Sequence, residues 1–143
     1  MFVTIACGVL HLATGGLALA SAGHDPPLLA RRAGNGVEWI QIDGGAALGV
    51  DEGAAYASTR VELQPGDGLL LYTDGVTEAF DQSGRAFDRA GLEAALRRTS
   101  GSARARADSI VAAVRRFAGD AEQSDDITIL MMRFCPGAAP TAA

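Results

Sequence analysis

The stretch LLLYTDGVTEAFD, residues 69–81, runs from an apolar strand straight into an acid, Asp74, followed at once by Gly75. Residues 68–73 form a continuous apolar run of strand length, the pattern of a strand covered on both faces. A carboxylate at the end of such a strand is costly to bury unless something compensates it. Two readings answer that. Asp-Gly is ordinary turn punctuation, with Gly75 supplying the dihedrals of a tight turn. Alternatively, Asp74 is one oxygen donor of a cation site.

Working outward, the chain before residue 68 is rich in strands. Residues 2–12 and 17–22 are apolar runs around the turn ATGG (13–16), a hairpin signature. After the break HDPP (24–27), residues 28–32 and 37–42 form a second pair around AGNG (33–36). A Gly-rich loop, 43–54, leads to a strand over 56–63, then to the turn QPGDG (64–68). After Asp74 the period changes. Residues 87–100 read as a helix with Asp88 as N-cap and Leu92, Ala95 and Leu96 facing inward. Residues 101–119 read as a second helix, capped by Ser102 and ended by Gly119. Its inner face would carry Ala107, Ile110, Val111, Val114 and Phe117. An acidic loop, 120–126, then feeds a last strand over 127–134. Strands and helices segregated in this way predict an α+β fold with helices lying on antiparallel sheet.

Composition limits what such a domain does. At 143 residues and 48% hydrophobic content, with mean hydropathy +0.15, the chain is one domain's worth with a real core. The net charge of −5 and pI near 4.9 argue against a nucleic-acid binder. All 12 basic residues are Arg, and the pairs at 31–32, 97–98 and 115–116 read as solvated surface. Cys7 and Cys135 match no metal spacing; they read as small apolar core residues in a reducing, cytoplasmic setting. The N-terminal apolar stretch lacks a basic lead-in and is too short to span a bilayer, so no membrane contact is expected of this segment. The small, Pro-broken tail 136–143 reads as disordered.

Asp74-Gly75 has a counterpart in Asp125-Asp126, which precedes an apolar strand as Asp74 follows one. If the two strands are neighbours, the acids meet at one rim, and oxygen-only carboxylate clusters suit Mg²⁺ or Mn²⁺.

Four stretches extend this. SAGHDPPLL (21–29), ALGV (47–50), LQPGDGLLLYTDGVTEAFDQSGRAF (63–87) and QSDDITILMMRF (123–134) together resemble the C-terminal part of the PPM-type metal-dependent serine/threonine phosphatases, in their SpoIIE-like, RsbU-like branch. The resemblance runs in order over residues 1–135. It implies an α–β–β–α sandwich, two Mn²⁺ or Mg²⁺ ions, and hydrolysis of phosphoserine or phosphothreonine on a signalling protein. In this branch that protein is a phosphorylated anti-anti-sigma, STAS-type partner in sigma-factor regulation; a homodimer is also compatible. By the same resemblance Asp74 and Asp125 are metal ligands, and Asp126 and Gly75 are outer or alternative ligands. His24 falls on the phosphate side or is a hydrogen-bonded turn histidine. The family's two upstream strands, with a further acid and a D-x-S-G-H-G type motif, have no match here. Two readings therefore stand: a phosphatase module whose remaining ligands lie elsewhere, and a catalytically inactive binding or regulatory module of the same fold.

Overall fold

A computed structural model describes residues 1–32 and 36–136. Its strands are β1 (Ile5–Leu10), β2 (Gly16–Ala22), β3 (Leu28–Ala30), β4 (Val37–Trp39), β5 (Ser58–Glu62), β6 (Gly68–Tyr72) and β7 (Ile129–Arg133). A 3₁₀ turn spans Asp74–Val76, and two helices follow, α1 (Asp88–Arg97) and α2 (Ala103–Ala118). All seven predicted strands and both helices form, most of them trimmed at their ends. The turn expected over 33–36 and the tail expected over 136–143 fall largely outside the described residues.

The strands make two antiparallel sheets, β1-β2-β5 and β4-β3-β6-β7. Between them lies one apolar layer built from Leu17, Leu19, Leu29, Ile40, Leu63, Leu69 and Phe134. The other face of the four-stranded sheet carries Leu28, Leu70 and Tyr72, which pack against Leu92 and Leu96 of α1 and Ile110 and Val114 of α2. Alternate residues of β6 thus feed two cores, which explains its unbroken apolar spelling. The α+β class and the pair of stacked sheets agree with the sequence reading. Among the described residues, both helices lie on the one sheet.

The helix ends follow the expected chemistry. Asp88 has φ +57° and its Oδ1 accepts the Gly91 N–H at 2.9 Å, so it caps α1 although the helical hydrogen-bond pattern already includes it. Ser102 Oγ accepts the Ala105 N–H at 3.2 Å, and Gly119, at φ +59°, closes α2.

Three expectations fail. Cys7 and Cys135 are exposed, not core residues. Cys7 lies in β1, an edge strand bonded on one side only, whose residues remain largely outside the cores. Arg31 is not plain surface: its guanidinium pairs with a buried acid. That acid is Asp67, not Asp74. Asp67 is 1% exposed and sits in the turn before β6. Its carboxylate accepts Arg31 Nη1 at 2.9 Å and the N–H groups of Arg32 and Gln64 at 2.9 and 3.0 Å. Its carbonyl accepts the Phe134 N–H just past β7. Burial alone would raise its pKa; the two backbone donors and Arg31 outweigh that and hold it below the usual carboxylate range.

Candidate metal centre

The sheet register decides which acids can meet. In the β3–β6 pair, Leu28 faces Leu70, and continuing the antiparallel register past Leu28 sets His24 level with Asp74. In the β6–β7 pair, Tyr72 faces Ile129, and the same continuation sets Gly75 level with Asp126. Three segments remote in sequence therefore converge at one end of the four-stranded sheet.

Hydrogen bonds lock the convergence. Thr73 Oγ1 donates to the Asp126 carbonyl at 2.8 Å and accepts the Thr128 N–H at 2.9 Å. The Thr73 N–H bonds Thr128 O at 3.1 Å, and Ser124 Oγ bonds Glu78 O at 2.8 Å. Gly75 is buried against the acidic loop: a Cβ there would lie 2.5 Å from the Asp126 carbonyl oxygen and 3.1 Å from that of Asp125. The glycine is needed for close approach, not for special dihedrals. Gly75→Ala should force the two loops apart, costing about 1–3 kcal/mol as an overpacked contact. A thermal melt reads that cost, and an unchanged midpoint would show that the loops are not packed through this residue.

Asp74 itself is exposed, so no desolvation cost has to be compensated. Its Oδ1 accepts its neighbour's N–H, Gly75, at 3.0 Å at the opening of the 3₁₀ turn. Asp125 is exposed too, and its Oδ1 likewise accepts the next N–H, Asp126, at 2.6 Å. Each carboxylate is thus held by its own loop and keeps its second oxygen available.

Asp74 also lines a recess of about 70 Å³ with Thr4, Gly23, His24, Asp25, Tyr72 and Thr73. His24 Nδ1 lies 3.0 Å from the Asp25 carbonyl. A carbonyl can only accept, so Nδ1 carries the proton and Nε2 is the nitrogen left for other contacts. The His24 backbone is tied to Ser21 Oγ on both sides, as donor and acceptor, which fixes the turn. The sequence reading passed over Asp25. Its Oδ1 lies 3.2 Å from Arg89 Nη2, and the Arg89 guanidinium lies 5.3 Å from the Trp39 ring centre. No short motif marks Asp25; its only signal is an acid directly before the two prolines, Pro26 and Pro27, that hold the segment extended.

The Tyr72 hydroxyl is buried at this recess with no hydrogen-bond partner among the described residues. Burial first, and the Asp25 charge second, push its pKa upward against the opposing pull of the nearby Arg89, which makes no hydrogen bond of good geometry with it. Removing an unpaired buried hydroxyl removes a desolvation cost. Tyr72→Phe should therefore leave stability unchanged or raise it by up to about 1 kcal/mol. A loss of more than that in a denaturant titration would reveal a partner for the hydroxyl.

The donors here are carboxylate oxygens, the type preferred by Mg²⁺ and Mn²⁺. They do not make a whole site. Among the described residues no three His, Cys, Asp or Glu side chains are grouped to hold an ion.

Comparison with known proteins assigns the family and the fold. Protein IcfG of Synechocystis sp. is 30% identical over 89 residues, which is 62% of this chain and 14% of IcfG. The RsbU and RsbW domains of a Mycobacterium tuberculosis protein superpose with a TM-score of 0.76 at 28% identity, over 94% of this chain and 38% of that one. The phosphatase domain of the cell fate determinant SpoIIE from Bacillus subtilis gives a TM-score of 0.74 at 17% identity, over 95% of this chain and 60% of that domain. The chain therefore spans less than two thirds of each of these relatives. The sequence model of Stage II sporulation protein E (SpoIIE) matches residues 1–135. With two stacked antiparallel sheets and its acidic loops brought to one rim, this chain belongs to the SpoIIE family and has the PP2C phosphatase fold.

Proposed function

We propose that this chain supplies Asp74 and Asp125 to a metal-dependent serine/threonine protein phosphatase site, with Mn²⁺ or Mg²⁺ as the ion. The observation that carries the reading is the seating of Gly75 on the Asp125–Asp126 backbone, which brings the two acid-bearing loops together. The rest of the ligand set would come from outside the described residues. When bound, a pair of such ions makes a nucleophilic hydroxide available at neutral pH. The chain's own contributions are positional. Thr73 and Gly75 hold the two loops together, and Asp126 contributes its backbone to that contact. His24, its Nδ1 proton committed to Asp25 O, presents Nε2 on the phosphate side. The substrate class is a phosphoserine- or phosphothreonine-bearing protein, of the STAS, anti-anti-sigma kind in sigma-factor signalling.

A second reading has its own support in the small donor set: a module of this fold that binds the phosphatase's partners without catalysing. The two separate in one experiment. Calorimetry with Mn²⁺ is run beside turnover of p-nitrophenyl phosphate. Uptake and turnover that both need Asp74 support the phosphatase. Uptake without turnover favours the binding module, and no uptake removes the metal reading altogether.

A further inference from the structure

At the end of β6 opposite Asp74, four arginines gather. Arg31, Arg32, Arg106 and Arg133 line a cavity of about 260 Å³ together with Gly66, Thr99, Ser100 and Gly101. Arg31 is spoken for, by Asp67 and Glu38. Arg32, Arg106 and Arg133 form no salt bridge among the described residues. That is unusual crowding for a chain whose net charge is −5.

The fold holds these cations in place. Arg106 Nε donates to Thr99 Oγ1 at 2.9 Å, and Thr99 Oγ1 in turn donates to Leu96 O at the end of α1. The bare Cα of Gly68 leaves room for the Arg106 guanidinium, since a Cβ there would lie 2.8 Å from Nη1. Gly66 gives the same room to Arg32. Gly68 is paired with Arg133 in the β6–β7 ladder, which brings Arg133 alongside. Burial first, and the Arg133 charge second, make the Arg106 guanidinium easier to deprotonate. Like charges held together and partly out of water are stabilised by an anion between them.

We propose that Arg32, Arg106 and Arg133, with the Thr99–Gly101 loop, form a binding site for a small, multiply charged phosphate anion. Guanidinium forks match phosphate oxygens in pairs, and Ser100 adds a hydroxyl donor. The cavity is smaller than the roughly 300–1,000 Å³ of pockets for drug-sized ligands, which suits an ion of this size. At about 3.3 Å per strand residue the site is about 20 Å from Asp74. It is therefore separate from the acidic rim and stands or falls independently of the phosphatase reading.

Pyrophosphate and inorganic phosphate are the probes, titrated into the whole chain by calorimetry, with sodium chloride at matched ionic strength as control. Saturable binding is expected for the phosphates and not for chloride. Arg133→Gln and Arg32→Gln, both at exposed positions, should each weaken it about tenfold, roughly the 1.4 kcal/mol of one lost charge-assisted contact. Arg106→Gln should weaken it at least as much. Asp74→Asn should leave it unchanged. Equal response to chloride, or full affinity in the Arg133→Gln and Arg32→Gln variants, overturns the proposal.

Discussion

Asp67→Ala should lower the stability of this domain by about 2–4 kcal/mol, because it leaves two backbone donors unpaired and takes one of two carboxylates from Arg31. A domain of this kind has about 5–15 kcal/mol in all. The substitution leaves the Arg31 guanidinium without its buried partner and orphans the N–H groups of Arg32 and Gln64. These groups belong to the ends of β3 and β5, so a single side chain ties one strand of each sheet at that end. Asp67→Asn keeps an acceptor but not the charge, and should fall between alanine and wild type. The acid limb gives a second readout. The folded-state pKa of Asp67 is depressed, so its contribution is complete above the unfolded carboxylate value near 4. It is lost as pH falls below that toward the folded value. Wild type should therefore lose stability below about pH 4 more steeply than Asp67→Asn. Denaturant midpoints at pH 7 and pH 3 measure both effects. A change under 1 kcal/mol at pH 7 would show that the clamp contributes little.

The second large effect is on function. Asp74→Asn should abolish Mn²⁺ uptake at the rim and any phosphatase turnover that depends on it. Loss of outer partners alone typically costs 10–100-fold in metal affinity, so loss of a ligand should exceed about 100-fold. Stability should hardly change. Asp74 is exposed, and an asparagine oxygen can still accept the Gly75 N–H, so the melt should stay within about 0.5 kcal/mol of wild type. That pairing of outcomes separates a ligand from a turn residue. If Asp74→Asn binds Mn²⁺ as well as wild type does, Asp74 is only the opening of the 3₁₀ turn.

These two residues show how far the spelling reached. The period change after residue 74, the caps at Asp88 and Ser102 and the doubly apolar β6 were all legible, because each is a local consequence of side-chain shape and backbone geometry. The resemblance was legible too, and it picked out Asp74, Gly75, Asp125 and Asp126 as candidates. Burial was not legible. QPGDG reads only as a turn and TDG as the end of a buried strand, yet Asp67 is enclosed and Asp74 is exposed. The difference lies in what arrives from elsewhere: Arg31, from 36 residues away, folds over Asp67. Asp25 was missed for the same reason, since its partner Arg89 is 64 residues distant.

The amino-acid order by itself determined the α+β class and the positions of its strands and helices. Those depend on periodicity and on turn chemistry, which act over a few residues. Only the tertiary structure decided that the two acid loops lie against each other through Gly75, that the enclosed carboxylate is Asp67, and that Arg32, Arg106 and Arg133 share one cavity. Such facts follow from sheet register and from charges meeting across the fold, and neither is written in any local stretch of the chain.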